Sequence, residues 1–145
     1  MARVLVLNGP NLNLLGEREP GLYGAVSLAS IEDRLTALGA EFGIELRFRQ
    51  SNHEGVLIDE VHAARHDCEG LIVNAGGLAH SSIALADALR AFDGRICEVH
   101  VTNIHAREPF RHHSHLAPVA DAVLCGCGPL GYELALRFLA ADRSK

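Results

Sequence analysis

The sequence predicts an α/β protein with a doubly wound parallel sheet of five strands. Short apolar runs alternate with helical patterns along the whole of its 145 residues, which is the order that parallel sheets require. The first and third runs, "RVLVLN" and "GLIVN", are almost wholly apolar, as expected of central strands covered on both faces. The second run, "ELRFRQ", alternates apolar with charged residues and suits a sheet edge. These features favour the flavodoxin-like strand order 2-1-3-4-5.

The predicted elements follow one another without a repeat, a linker or a low-complexity segment, which indicates one domain. Strands are predicted at 3–8, 45–50, 70–74, 96–101 and 122–125. Helices are predicted at 28–42, 54–67, 81–92 and 129–141. At the first helix, Ser27 is a candidate N-cap and Gly43 a stop signal. Residues 13–24 are rich in glycine and contain Pro20, so they predict a flexible loop.

Charge and hydropathy exclude two classes of partner. The formal net charge is −5 without a basic cluster, so a nucleic-acid partner is not expected. The longest largely apolar tract, 71–89, contains Asn74, His80 and Asp87 and is therefore not a membrane span. The first residues run directly into an apolar strand and do not resemble a signal peptide. We therefore expect a soluble, cytoplasmic protein with no membrane partner.

Cysteine and lysine usage narrows the chemistry further. The four cysteines, at 68, 97, 125 and 127, form no CxxC pair and are expected to be buried structural thiols. Of the 13 basic residues, the only lysine is Lys145, the last residue. Schiff-base chemistry, pyridoxal phosphate attachment and a P-loop each need a lysine held within a site. We therefore expect none of these three classes.

Polar residues follow the predicted strands at one edge of the sheet. Asn8 and Asn11 follow the first strand, and Asn74 ends the third, where "NAGGLAHSS" leads into a helix that Ser81 or Ser82 could cap. Doubly wound sheets bind ligands beyond the carboxyl ends of their strands, where the strand order reverses. The glycines and the helix N-terminus suit an anion, but an ordinary strand-to-helix turn has the same pattern.

Glu98 and His100 lie two residues apart in the fourth predicted strand, so their side chains project from the same face. A carboxylate against an imidazole fixes the tautomer of the ring and favours its protonated form, which suits a proton donor. A satisfied buried pair is the alternative, but desolvation of a polar pair in an interior strand favours a functional role. His80 and Asp87 would share a helix face if their helix began early enough; a solvated face is the alternative. No metal is expected at the loop histidines, which lack metal-site spacing: His105, His112, His113 and His115.

The loop over residues 13–24 carries an arginine and a tyrosine close together. Arg18 is five residues from Tyr23, one of 2 tyrosines in the chain. A phenol has a pKa of about 10, so its ionisation at pH 7 costs about 4 kcal/mol, and a neighbouring guanidinium lowers that cost. A loop that carries such a base can close over a substrate and exclude water. Glu17 and Glu19 would cancel the effect if they turned inward, so both are expected to point away.

Five stretches of the chain form a recognisable series: "LNGPNLNLLGEREPGLYG", "RQSNHEG", "NAGGLAHSS", "EVHVTNIHAREPFRHHS" and "GYELAL". In order and spacing they resemble the type II 3-dehydroquinate dehydratases. The resemblance implies a single catalytic domain, residues 1–145, that converts 3-dehydroquinate to 3-dehydroshikimate by anti elimination through an enolate, without metal or cofactor. It also implies a homododecamer built from trimers. The pathway would be shikimate and aromatic amino acid biosynthesis, or quinate metabolism.

The resemblance implies a catalytic role for five residues. Tyr23 would take the proton next to the ketone, and Arg18 would support its ionised form. Asn11 would position a water against the enolate oxygen. His100, paired with Glu98, would protonate the leaving hydroxyl.

The resemblance also implies how the substrate is bound. The carboxylate would be held by Asn74 and the backbone of Val101 and Thr102. The ring hydroxyls would be contacted by His80, Asp87 and Arg111, with Asp87 reaching a neighbouring subunit's site. Two departures from the family pattern bear on these roles. Thr102 stands where serine is common, and Pro109 could displace Arg111.

Two other readings of the sequence remain open. The first is a flavodoxin-like binding domain that holds flavin or a nucleotide phosphate, although phosphate loops rely on glycine, serine and threonine amides rather than on charged side chains. The second is a serine hydrolase built on Ser81 or Ser82, against which stands the lack of a GxSxG elbow.

Overall fold

Five parallel strands form the sheet that the apolar runs predict. They are Ala2–Asn8 (β1), Ile44–Gln50 (β2), Gly70–Asn74 (β3), Arg95–His100 (β4) and Ala122–Cys125 (β5). Their order is β2-β1-β3-β4-β5, and neighbouring strands run parallel. This confirms the predicted fold class. β3 is buried throughout, whereas β2 at the edge is mostly only half-buried.

The structure, a computed structural model, describes residues 2–23 and 25–141, and for Tyr23 it describes the backbone alone. The Tyr23 side chain and Lys145, both of which enter the predictions above, lie outside the described residues. Within the described parts of the chain, no helix is both long and apolar enough to cross a membrane.

The helices flank the sheet on both faces. They are Pro20–Tyr23 (α1), Leu28–Phe42 (α2), Glu54–Ala64 (α3), Ile83–Arg90 (α4) and Leu130–Ala141 (α5). The predicted ends of α2 are confirmed: the Ser27 Oγ accepts from the Ser30 N–H at 3.1 Å, and Gly43 follows the helix with a left-handed φ of 67°.

Two helices are shorter than the sequence predicts. α3 ends at Ala64, and α4 begins at Ile83 and ends at Arg90. The residues that follow each helix keep turning, but through tighter bonds between residues three apart, such as those from the N–H of Asp67 and from the N–H of Phe92. The apolar pattern therefore continues past the point where α-helical hydrogen bonding stops.

Part of the predicted loop is helical, which corrects the sequence prediction. Pro20–Tyr23 form one turn of helix, and Leu12–Leu14 form a 3₁₀ turn. Proline suits the first position of a helix because its φ is already fixed and its missing N–H has no partner there. Glu19, immediately before it, has a positive φ of 44°. The segment is thus a short, conformationally constrained turn rather than a featureless loop.

Two apolar layers cover the sheet, and the strands alternate between them. The α3–α4 layer packs on alternate strand residues such as Leu5 and Leu7, and the α2–α5 layer packs on Val4 and Val6. The alternation continues to the carboxyl ends of the strands. Asn8 and Asn74 therefore face the α2–α5 layer, while Glu98 and His100 face the α3–α4 layer.

The cysteines are all free thiols, but they are not all buried. Cys97 is buried within β4, and Cys68 and Cys125 are half-buried. Cys127 is exposed in the turn that precedes α5, so the expectation of a buried thiol was wrong there. A surface turn after a short edge strand has no second layer to cover it.

Candidate active site

A polar cleft of about 110 Å³ lies at the carboxyl ends of β1, β3 and β4, at the edge where the ligand site was predicted. Eight residues singled out from the sequence line it: Asn11, Arg18, Asn74, His80, His100, Val101, Thr102 and Arg111. Three segments distant in sequence therefore meet here, because the strand order reverses between β1 and β3.

Glu98 and His100 form the buried pair that the strand spacing predicts. The Glu98 side chain has no exposed surface, and its Oε2 contacts His100 Nε2. Because a carboxylate oxygen accepts, Nε2 carries a proton in this contact, and the other ring nitrogen, Nδ1, is the one that can gain or lose a proton. The arrangement can therefore hold a proton on a ring that lines the cleft.

Ser114 also holds Glu98, a contact that sequence reasoning missed. The Ser114 Oγ donates to Glu98 Oε2 at 2.6 Å and accepts from the Leu116 N–H at 3.1 Å. Among the described residues, Glu98 Oε1 is buried without a hydrogen-bond partner. The orientation of this carboxylate thus depends on contacts to a single oxygen. Little in the sequence indicated the role of Ser114, because this residue lies in a loop 16 residues from Glu98.

His80 stacks against His100 and presents an uncharged ring. The ring centroids are 5.8 Å apart, at an interplanar angle of 24°. The His80 Nδ1 donates to the carbonyl oxygen of His113 at 2.8 Å, since a carbonyl can only accept. Burial lowers the pKa of His80 and outweighs the opposite effect of its hydrogen bond to the His113 backbone. A neutral His80 with its proton on Nδ1 leaves Nε2 as an acceptor for a ligand hydroxyl.

His80 and Asp87 do not share a helix, contrary to the sequence expectation. His80 ends the 3₁₀ turn Gly76–His80, and α4 starts three residues later. Asp87 Oδ1 pairs with Arg90 Nη1 at 2.8 Å, and the Asp87 side chain is 65% exposed. It is absent from the cleft lining, so within one chain Asp87 lies apart from the other candidate residues.

The first loop brings Arg18 to the cleft, together with an acidic neighbour. Arg18 Nη2 lies 3.7 Å from Glu19 Oε2, so the expectation that Glu19 points away is wrong. Glu19 also has a positive φ, so the chain turns at this point. Asn11 also has a left-handed backbone, with a φ of 70°, and its N–H donates to Asn52 Oδ1 at 3.0 Å.

Two more arginines, Arg107 and Arg111, line the cleft. Pro109 begins the 3₁₀ turn Pro109–Arg111, and Arg111 still reaches the cleft, with its Nε 3.1 Å from Glu108 Oε2. Pro109 therefore leaves Arg111 at the cleft. Arg107, which sequence reasoning did not single out, also lines the cleft, and its Nη1 lies 3.5 Å from Thr102 Oγ1. The signal for Arg107 was its place in the histidine-rich loop after β4.

The carbonyls of the two residues after β4 are both engaged. The Gly128 N–H donates to the Val101 carbonyl, and the Gly126 N–H donates to the Thr102 carbonyl, each at 3.0 Å. These bonds fix the peptide planes at the floor of the cleft.

No group of three or more His, Cys, Asp or Glu side chains in residues 2–23 and 25–141 is arranged to hold a metal ion.

Asn74 is tied to a buried tyrosine on the α2–α5 side. Asn74 Nδ2 donates to the Tyr132 hydroxyl oxygen at 2.9 Å, and that hydroxyl donates to Asn8 Oδ1 at 2.6 Å. Burial raises the pKa of Tyr132 well above its usual range, so the phenol stays protonated. Of the two tyrosines, Tyr132 is thus unsuited to act as a base.

A proton-holding imidazole and several cations meet at the switch point of a doubly wound sheet. Such a site is typical of an enzyme that moves protons on a small anionic substrate. The family described as "Dehydroquinase class II" matches residues 2–140 of this chain. The chain therefore belongs to the class II dehydroquinase family, and it is an enzyme of the hydro-lyase type.

Curated relatives and solved structures agree with this assignment. The 3-dehydroquinate dehydratase of Chelativorans sp. (strain BNC1) is 56% identical over 139 residues, which cover 95% of this chain and 96% of the relative. The 3-dehydroquinate dehydratase 1 of Agrobacterium fabrum (strain C58) is 52% identical over 136 residues, 94% of each chain. The type II dehydroquinase from Propionibacterium acnes superposes with a TM-score of 0.94 at 41% identity and covers 98% of both chains. The family predicted from the sequence is confirmed.

Proposed function

We propose that the chain dehydrates 3-dehydroquinate to 3-dehydroshikimate by anti elimination through an enolate. One observation carries the proposal: in a member of the dehydroquinase family, the buried Glu98–His100 pair opens on a cleft lined by Arg18 and Asn74. An elimination of this kind needs a base, an acid and a clamp for the substrate carboxylate. The cleft supplies candidates for the acid and the clamp, and the loop that carries Arg18 supplies the candidate base.

Tyr23 is the proposed base. It removes the proton next to the ketone, and the Arg18 guanidinium stabilises its phenolate. Arg18 at the cleft and the position of Tyr23 on α1, five residues further on, support this pairing, although Glu19, 3.7 Å from Arg18, offsets part of the stabilisation. A mechanism through an imine would need a lysine held in the site, and the only lysine of the sequence is its last residue, Lys145. Asn11 positions a water against the enolate oxygen as charge builds there.

His100 is the proposed acid. Its Nε2 contact with Glu98 leaves Nδ1 as the nitrogen that delivers a proton to the departing hydroxyl. Glu98 stabilises the charged ring before the transfer, and burial of the pair strengthens that interaction. The stacked ring of His80, neutral beside it, accepts from a ring hydroxyl rather than competing for the proton.

Asn74 and the backbone of Val101 and Thr102 are proposed to bind the substrate carboxylate, and Arg111 to contact a ring hydroxyl. We propose that Asp87 acts on the site of a neighbouring subunit within a homododecamer of trimers. The 65% exposed Asp87 side chain and its distance from the cleft of its own chain support this assignment. Sedimentation tests it, since an active monomer would contradict the proposed assembly.

The direct test of the reaction is to mix the protein with 3-dehydroquinate and follow the ultraviolet absorbance of the conjugated enone product. The expected result is a steady rise that does not depend on added metal or cofactor. Borohydride added with the substrate should leave the enzyme active. Inactivation by borohydride would indicate an imine and overturn the enolate mechanism, whereas no enone at all would overturn the reaction.

We further propose a cytoplasmic enzyme in which residues 1–145 act as one catalytic domain. Its step serves the shikimate pathway and aromatic amino acid biosynthesis, or quinate metabolism. Expression in a bacterium that lacks its own dehydroquinate dehydratase tests the biosynthetic role. Growth without aromatic amino acids is the expected result, and failure to grow despite activity in the extract would contradict it.

A further inference from the structure

A buried chain of three polar side chains lies behind the cleft, and the proposed mechanism uses only one of them. It runs from Asn74 through Tyr132 to Asn8, and their exposed fractions are 3%, 0% and 1%. The surroundings are the apolar α2–α5 layer, where an unsatisfied polar group would be strongly destabilising. A chain of this kind, with donors matched to acceptors, rigidifies the side chains within it. We call it the Asn8–Tyr132–Asn74 chain.

The direction of each hydrogen bond in this chain follows from one backbone group. The Gly76 N–H can only donate, and it lies 3.2 Å from Asn74 Oδ1, so the amide oxygen faces Gly76. The amide nitrogen therefore faces Tyr132, whose hydroxyl oxygen accepts a hydrogen bond from one of its two N–H groups, while the hydroxyl donates to Asn8 Oδ1. Asn74 lines the cleft, so its second N–H is the group with which it can bind an acceptor there.

The fold brings the Tyr132 hydroxyl to the strand ends by a close approach of α5. A Cβ added to Gly131 would lie 3.3 Å from Val99 Cγ1, so glycine lets the first turn of α5 sit close to β4. Asn8 and Asn74 are register partners on β1 and β3 and face the same layer. A single hydroxyl can therefore reach both amides. Because burial keeps the Tyr132 phenol protonated, its hydroxyl can donate a hydrogen bond to Asn8.

We propose that Tyr132 is a positioning residue for anion recognition: its hydroxyl fixes the orientation of the Asn74 amide by accepting from one N–H, so that the second N–H can bind the substrate carboxylate in the cleft. The inference rests on the proposed function, in which Asn74 binds that carboxylate. Asn8 acts one step further back, by fixing the direction of the Tyr132 hydroxyl. Without this hydroxyl the amide keeps only its contact with Gly76 and can rotate, so the carboxylate binds less tightly while the proton transfers at Tyr23 and His100 continue.

The test is a double-mutant cycle on substrate kinetics. Tyr132→Phe should raise the KM for 3-dehydroquinate about tenfold and change kcat less than about threefold, the loss of one hydrogen bond to a charged ligand. Asn74→Ala should raise KM at least as much. In the Asn74→Ala background, Tyr132→Phe should have no further effect on KM, because a residue that acts only through Asn74 loses its influence when Asn74 is gone.

Two further variants separate positioning from general stability. Leu136→Val trims a buried side chain one turn along α5, in the same layer but outside the chain of hydrogen bonds, and should leave KM unchanged. Asn8→Ala should raise KM in the same direction as Tyr132→Phe, and it replaces that variant in the cycle if Tyr132→Phe does not fold. Equal KM effects of Tyr132→Phe with and without Asn74, or a KM increase in Leu136→Val, would overturn the inference. Failure of the proposed function is distinguishable, since wild-type protein would then form no enone.

Discussion

Glu98 has no exposed surface, and contacts to His100 and Ser114 converge on a single one of its oxygens. Removal of an ionised carboxylate from water costs several kcal/mol, so its partners decide where the group can sit. The imidazole it orients faces the cleft, and a small rotation of the carboxylate would move the proton-bearing ring. At the scale of single residues, the acid of the proposed reaction therefore depends on a serine that does not line the cleft.

Replacement of Ser114 tests this dependence. Ser114→Ala should lower kcat roughly tenfold with a smaller change in KM, because Glu98 loses its hydroxyl donor while the binding groups stay in place. Steady-state kinetics on 3-dehydroquinate provide the measurement. Ser51→Ala is the matched control, since the Ser51 Oγ also accepts from a backbone N–H two residues on, that of His53 at 3.0 Å, but does not contact Glu98. Equal losses in the two variants would refute a special role for Ser114.

The proposed base and its cation give the largest expected effects. Tyr23→Phe should reduce kcat by about 10²–10⁴-fold while an unreactive substrate analogue still binds, because general base catalysis is lost and binding is not. Arg18→Ala should lower kcat by orders of magnitude as well. Arg18→Lys should recover little activity if the planar guanidinium matters, since an ammonium group cannot reproduce its geometry. Substantial turnover by Tyr23→Phe would remove this tyrosine from the mechanism.

At the scale of elements, the segment that carries Arg18 depends on one glycine. Gly16 has a φ of 94°, and a Cβ there would lie 2.9 Å from the Ala25 carbonyl oxygen. Both the left-handed backbone and the close contact would strain any residue other than glycine at position 16. The short turn α1 is therefore held in place by its entry point, since its own Leu22 is 43% exposed and contributes little burial.

Gly16→Ala should displace this segment without unfolding the protein. The left-handed backbone alone costs a non-glycine residue about 1–2 kcal/mol, which the exposed segment relieves by moving. We expect kcat/KM to fall at least tenfold with a melting temperature within a few degrees of wild type. Gly21→Ala is the control, because a Cβ at Gly21 meets nothing within 4 Å. A large fall in melting temperature for Gly16→Ala, or equal activity losses in the two variants, would contradict this account.

At the scale of the whole molecule, the two layers protect the cysteines unequally. Burial raises the pKa of Cys68 to about 11 and that of Cys97 to about 12. Both thiols are therefore protonated near pH 8, and Cys97 is also sealed between strand and helix, whereas Cys127 is exposed. Only the thiolate is a strong nucleophile.

Alkylation of the folded protein with iodoacetamide at pH 8 should therefore modify Cys127 and spare Cys97 and Cys68. Peptide mass spectrometry before and after unfolding in urea provides the measurement, and all four cysteines should react in urea. Alkylation of Cys97 in the folded protein as fast as Cys127 would show that the α2–α5 layer opens far more readily than its packing implies.

The sequence predicted the sheet well because strand formation is local. Each strand is an apolar run bounded by polar or turn residues, so every predicted strand end lies within one residue of the observed end. Glu98 and His100 were found for the same reason, since two residues on one strand must share a face. α1 was missed because its glycine and proline contradict helical propensity, and only the entry through Glu19 and Pro20 makes a helical turn possible.

The contacts that sequence reasoning missed are those between distant elements. Tyr132 meets Asn74 across 58 residues and Asn8 across 124 residues. No periodicity within α5 distinguishes a tyrosine that reaches the strand ends from one that only fills the core. Such a partner can be identified only once strand order and helix placement are both known.

Two side chains of the cleft are held from opposite faces of the sheet: His100 by Glu98 on the α3–α4 side, and Asn74 by Tyr132 and Asn8 on the α2–α5 side. Substitutions in the α2–α5 layer can therefore change which carboxylate substrate Asn74 binds, while the proton donor His100, on the α3–α4 side, keeps its contacts. Substitutions in α5 are therefore expected to alter substrate specificity more readily than substitutions in α4.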